Sequence, residues 1–172
     1  MRQSTFFKAL FLLASVLFLT RCEVLRDLTT ERPRGVDSKE AALRRNIVDY
    51  AQRYEGKKYL YAGKNPSSGF DCSGFTYFVM KEYGIMLSPS SKDQATQGRS
   101  VPVDKAMPGD LVFFRRSASE PVFHVSLVVE NDGKSLWVVH STTSRGVIQE
   151  DLLASSYWKP KIYAARDVIS GR

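Results

Sequence analysis

The sequence predicts an α+β domain in which amino-terminal helices pack on a mainly antiparallel β-sheet. Three observations predict it. Apolar residues recur at helical spacing between residues 38 and 83, β-branched and aromatic clusters dominate from residue 111 onward, and Asn131-Asp132-Gly133 separates two of those clusters as a hairpin turn would. At 172 residues, 43% hydrophobic and 25% charged, the chain is long enough for one buried core and too apolar to stay disordered.

Residues 1–22 open with Arg2 and Lys8 and continue into the apolar run Ala9–Leu19, shorter than the roughly 20 residues a membrane span needs. A basic start before a short apolar stretch is the pattern of a secretory signal. Leu19-Thr20-Arg21-Cys22 is similar to the end of a bacterial lipoprotein signal, although Arg21 stands where that signal carries a small residue. Cys22 is therefore the expected lipid attachment site. An uncleaved anchor and plain secretion are the alternatives, and each carries the domain out of the cytoplasm, to the cell envelope. Residues 23–37 mix charges with Pro33 and Gly35, show no apolar face, and read as a tether.

Residues 38–172 then form the folded domain. Asp37 and Glu40 make a capping pair, after which Leu43, Ile47, Ala51 and Tyr50, Tyr54 recur at helical spacing, so the first helix is expected over 38–55. Tyr59 to Gly69 is loop-like. Ser73 to Tyr83 is apolar on nearly every side and reads as a buried helix, and Ser91 with Gln94 marks a short third one. Pro108-Gly109-Asp110 turns the chain into a strand at Leu111–Phe114. Residues 122–130 and 135–141 form the hairpin, and 161–168 offers a last strand.

Without Arg2, Lys8 and Arg21 the formal charge falls from +7 to +4, and no basic stripe interleaved with aromatics is present, so nucleic acid is not an expected partner. Two cysteines and two histidines, with neither CxxC nor HxxxH spacing, point away from a metal site.

Cys72 falls at the expected start of the buried helix, where backbone N–H groups and the positive end of the helix dipole favour a thiolate. A small core hydrophobe is the alternative for an isolated cysteine. His124 and His140 lie on the two strands of the hairpin, and a turn centred on Asp132 sets them opposite one another. A thiolate, an imidazole to pair with it and a second imidazole to fix the first ring's tautomer meet the requirements of an activated nucleophile.

Gly69-Phe70-Asp71-Cys72-Ser73-Gly74-Phe75, Pro108 to Phe114, His124-Val125-Ser126-Leu127-Val128 and Val139-His140-Ser141 with Arg145-Gly146-Val147 resemble, in order, the blocks of the NlpC-type family of papain-like bacterial cell-wall peptidases. The resemblance covers residues 38–168. It implies a papain-like fold and a Cys72, His124, His140 triad, with Cys72 as nucleophile, His124 as general base and acid, and His140 orienting it. It also implies a tyrosine near the oxyanion site. Tyr59 is the match, with Tyr61 as its rival, because Lys58 and Lys64 stand where the family carries Pro and Gly. Asp71 and Ser73 are implied as substrate contacts, although turn formation and helix capping call for the same residue types. The implied substrate is peptidoglycan peptide, cut without metal or organic cofactor by a protein expected to be monomeric. A non-catalytic wall-binding protein and an acyltransferase on the same fold are the alternatives.

Overall fold

The computed structural model describes residues 34–170. The expected signal and Cys22, with the tether up to residue 33, lie outside those residues. The chain divides into two units, Met1–Lys39 and Glu40–Arg172. Of the first, residues 34–39 are described, and they are helical.

Helix α1, Arg34–Gln52, starts ahead of the expected residue 38 and stops short of 55. Asp37 therefore lies within the helix and does not cap it, and residues 34–37 are not tether. Pro33, immediately upstream, is itself a helix-start signal, which the reading of residues 23–37 as a tether did not use. Glu40 instead accepts hydrogen bonds from Arg44 Nε at 2.8 Å and Ser170 Oγ at 2.7 Å. Ile47 and Ala51 are fully buried, one turn apart as their spacing requires.

Arg44, only 5% exposed, also reaches Asp110 at 2.7 Å, Asp167 at 2.9 Å and the Pro108 carbonyl at 3.0 Å. A buried guanidinium is tolerated because its planar fork is matched by carboxylates on several sides. This network ties α1 to the turn before strand β4 and to the end of strand β8, whose bounds follow.

Six strands form the main sheet: β3 (Arg99–Val101), β4 (Leu111–Phe114), β5 (His124–Asn131), β6 (Leu136–Thr142), β7 (Gly146–Asp151) and β8 (Ile162–Asp167). Their order is β3-β8-β4-β5-β6-β7 and every pairing is antiparallel. A two-stranded ribbon, β1 (Lys64–Asn65) with β2 (Gly69–Phe70), precedes the buried helix α2 (Cys72–Glu82), and a short α3 spans Ser91–Gln94. The sequence had marked β4, β5, β6 and β8 but not β1, β2, β3 or β7.

Alternation along the strands separates two cores. Phe113, Val125, Leu127 and Val139 pack with Phe75 and Val79 of α2 and Ile47 of α1, whereas Val112, Phe114, Val128 and Val138 pack with Leu152 and Trp158. Helices thus cover one face as expected, and the segment after β7 covers the other.

Within the β5–β6 hairpin the turn occupies residues 132–135, with Asp132 Oδ1 accepting from the Lys134 and Ser135 N–H groups. The pairs Leu127↔Val139 and Val128↔Val138 precede a shift in register before Glu130↔Trp137. Carried back along the strands, that register sets Ser126 opposite His140. The expectation that His124 lies directly opposite is corrected: the shift and the longer turn leave the two histidines diagonal to one another.

Candidate active site

Asp71 ends the extended approach to α2 and caps it: Oδ1 accepts from the Gly74 N–H at 2.6 Å. Its second oxygen accepts from the Ala62 N–H at 2.9 Å, which clamps the 60–63 loop against the start of the helix. Gly74 makes this approach possible, because an added Cβ would sit 1.9 Å from the Gly63 carbonyl oxygen. Ser73 Oγ lies 2.8 Å from the Pro89 carbonyl oxygen and 3.1 Å from Asp71 Oδ1. Asp71 and Ser73 therefore both have structural partners, and both also line a cavity of about 420 Å³ beside Cys72.

Tyr59 is set by its own backbone. The Leu60 N–H donates to Phe70 O and the Phe70 N–H to Lys58 O, each at 3.1 Å, so residue 59 pairs with Phe70 a short step before Cys72. Tyr61, 84% exposed, lines only the cavity that holds Asp71, whereas Tyr59 and Cys72 line both that one and a second of about 490 Å³. Of the two rivals, Tyr59 is the one that lines both cavities with Cys72. Burial raises its hydroxyl pKa, with the neighbouring Cys72 and Asp71 adding to the effect.

The larger cavity is lined by His124 and Trp158 together with Cys72. His124 Nε2 lies 2.9 Å from His140 Nδ1, and His140 Nε2 lies 2.8 Å from Glu150 Oε1. These links run diagonally across β5, β6 and β7: His140 pairs in register with Ile148, and Glu150 is the next residue along on the same face of β7. Diagonal neighbours have Cβ atoms about 7–8 Å apart, within reach of rings and long side chains.

Glu150 also accepts from Trp158 Nε1 at 3.0 Å and from Arg145 at 2.7 Å. Its hydrogen bond with His140 lowers its pKa, outweighing burial, so it is a carboxylate at neutral pH. A carboxylate only accepts. His140 must then carry its proton on Nε2, which makes its Nδ1 an acceptor, and His124 must donate through its own Nε2. The unprotonated nitrogen of His124 is consequently Nδ1. The tautomer of the outer ring is dictated from Glu150, two links away.

Trp158 stacks on His124 with ring centroids 4.5 Å apart and planes 26° from parallel. Neither Glu150 nor Trp158 was picked out from sequence. The usable signal was Val147-Ile148 following Gly146, a strand whose alternation puts residue 150 on the face of His140.

Burial, and then the Asp71 carboxylate, push the Cys72 thiol up to about 11, against N–H groups of Val125, Ser73 and Cys72 itself. Burial also drives His124 well below the usual imidazole range, and His140 adds to that. Each group taken singly is thus neutral, and the helix start alone does not make the expected thiolate. Charging them together is less costly, because each new charge offsets the desolvation of the other.

The resemblance noted in the sequence is matched by comparison with known proteins. The chain is 36% identical over 124 residues to a gamma-DL-glutamyl hydrolase of Bacillus subtilis, covering 71% of this chain and 29% of that one. It is 33% identical over 138 residues to the murein DD-endopeptidase MepS/murein LD-carboxypeptidase of Escherichia coli, covering 80% of this chain and 66% of the relative. The chain therefore spans under a third of one curated relative and just under two thirds of the other. A crystal structure of an NlpC/P60 family protein from Bacillus cereus superposes with a TM-score of 0.65 at 29% identity, covering 72% of this chain and 39% of that one. With the NlpC/P60 family model matching residues 56–167, a span that begins before Tyr59 and ends after Trp158, the chain belongs to the NlpC/P60 family.

Proposed function

We propose that the chain is a cysteine peptidase that hydrolyses amide bonds in the peptide stems or cross-links of bacterial peptidoglycan through an acyl-enzyme. The observation that carries this reading is the hydrogen-bonded series Glu150, His140, His124, whose last ring lines the same cavity as Cys72. Its tautomers leave a basic nitrogen at the outer end, which is what a general base for a thiol requires.

In the proposed reaction the Cys72 proton passes to His124 Nδ1 as the sulfur attacks the scissile carbonyl carbon. The Cys72 N–H and the Tyr59 hydroxyl hold the resulting oxyanion. Collapse expels the amine, which takes the proton from His124, and leaves a thioester on Cys72. Water then gives one proton to His124 and its hydroxide to the thioester, releasing the carboxylic acid and restoring the thiol. Trp158, stacked on His124, favours the ring while it is positively charged.

The names of the relatives support a wall substrate, and the two cavities that meet at Cys72 supply room for peptide on both sides of a scissile bond. The proposal includes a lipid anchor at Cys22, a location in the cell envelope and action as a monomer. Incubating the full chain with purified peptidoglycan and identifying released fragments by mass, with Cys72→Ala alongside, tests the reaction. New amines and carboxylates from wild type alone are expected. Intact wall after incubation with folded protein would overturn the reading.

A further inference from the structure

Resting on the peptidase reading, we propose that Arg115, Arg116, Lys159 and Lys161, with the rings of Tyr157 and Tyr163, form a second binding surface. It holds polymeric peptidoglycan, pairing with carboxylates of stem peptides beyond the one being cut and stacking on faces of the sugar rings.

The surface is assembled from two segments far apart in sequence. The Arg115 N–H donates to the Lys161 carbonyl at 3.0 Å, which joins the end of β4 to the turn at Lys159–Lys161. Three cations lie over rings: the Arg115 guanidinium is 3.5 Å from the Tyr163 centroid, Arg116 is 4.2 Å from Phe123, and Lys161 Nζ is 3.7 Å from Tyr157. Yet Tyr157 and Tyr163 keep 52% and 48% of their surface exposed, so each offers area to a ligand.

Charge is poorly matched within the protein. Among the described residues no carboxylate pairs with Arg115, Lys159 or Lys161, and Arg116 meets only Glu120, at 3.8 Å. Arg115 Nε is buried and has no hydrogen-bond partner there. A cluster of cations held together without counter-charges favours an anionic ligand, and Tyr and Arg are the side chains best suited to such a surface.

Its position says which ligand. Arg115, Lys161 and Tyr163 line a cavity of about 260 Å³, and Arg116 belongs both to that cavity and to the one that holds Cys72 and His124. Tyr157 likewise lines the catalytic cavity. A ligand here is therefore continuous with the one being cut. A wall strand meets that condition, carrying further carboxylates and sugar rings on the same polymer, whereas a short fragment ends before reaching Lys159.

The test is Lys159→Glu with Lys161→Glu, and separately Tyr163→Ala, all outside the catalytic cavity. Fragment release from insoluble peptidoglycan is expected to fall about fivefold or more for the charge-reversed protein, each exposed contact being worth a few-fold at most. The defect should shrink in about 0.5 M salt, where exposed charges are screened within a few ångströms. Cleavage of a soluble stem peptide should stay within about twofold of wild type. Equal losses on both substrates, or no loss on the wall, would overturn the proposal. Co-sedimentation of Cys72→Ala with insoluble wall, with and without the two reversals, reads the surface independently of turnover. Charge-dependent pelleting without any hydrolysis by wild type would remove the peptidase reading and leave the surface standing. Reduced binding to phosphatidylglycerol vesicles with unchanged wall binding would overturn the proposal in favour of a lipid surface.

Discussion

Replacing Glu150 by glutamine removes a charge from the end of the histidine series while keeping its shape. The carboxylate is separated from the His124 ring by hydrogen bonds of 2.8 and 2.9 Å and by the width of His140. At a separation of about 8 Å and an effective dielectric of about 20, its attraction for an imidazolium at His124 amounts to about 2 kcal/mol, roughly thirtyfold in rate. Arg145 shares the carboxylate and screens part of that. A loss of about ten- to thirtyfold in kcat/KM is therefore expected for Glu150→Gln, measured on a soluble stem peptide across pH. The sign of the pH effect follows from the same attraction. A carboxylate favours protonated rings, so its loss lowers the imidazolium pKa, keeps the His124 base free at more acid pH and moves the acid limb of the profile to lower pH. A variant of unchanged melting temperature that keeps kcat/KM within about twofold, or one whose acid limb does not move, would refute the account of how Glu150 acts.

Tyr59→Phe is expected to lower kcat about 10²–10³-fold with the fold intact, as for loss of one oxyanion donor, whereas Tyr61→Phe, at an exposed position, should leave single-turnover rates near wild type. Iodoacetamide labelling of Cys72 at neutral pH should slow sharply in His124→Ala, since burial holds the thiol pKa up and no base is left to take its proton. Burial alone would raise the Asp167 carboxyl, but hydrogen bonds from Ser170, Arg99 and Ile169 outweigh it and hold the group well below the usual carboxylate range. Its contribution to stability is present above the ordinary aspartate pKa of about 3.9 and is lost as pH falls toward the lowered value. Asp167→Asn should thus flatten the acid limb of urea-midpoint profiles and cost about 3–5 kcal/mol at pH 7 by leaving buried Arg44 short of a partner.

What was legible in the sequence was what local chemistry writes locally. The helix from Ser73 follows from its apolar run, the strand at Leu111 from Pro108-Gly109-Asp110, and the hairpin from Asn131-Asp132-Gly133, so Cys72, His124 and His140 could be named before any coordinates. Their exact relation could not, because one register shift between Val128 and Glu130 changes which residue faces His140. The start of α1 failed for a related reason: a Glu at cap spacing is equally available as a partner for a buried arginine, and Arg44 claimed Glu40.

Glu150 and Trp158 were invisible for a stronger reason. The one nearby signal, Val147-Ile148, marks a strand and not a role for Glu150, since β7 is buried at only one end, and Trp158 sits in a turn. What gives them a role is the diagonal across three strands, which lets a surface carboxylate set the tautomer of a ring it never touches. The consequence extends to Arg145, which binds the same carboxylate oxygen as His140 and lines the catalytic cavity. Any substrate carboxylate that draws Arg145 away strengthens the hold of Glu150 on His140, and so favours the imidazolium that the leaving amine needs. Arg145→Ala should accordingly move the acid limb to higher pH, opposite to Glu150→Gln, while raising KM for acidic peptides. A shift in the same direction as Glu150→Gln would show that the arginine supports the carboxylate's position and does not compete for its charge.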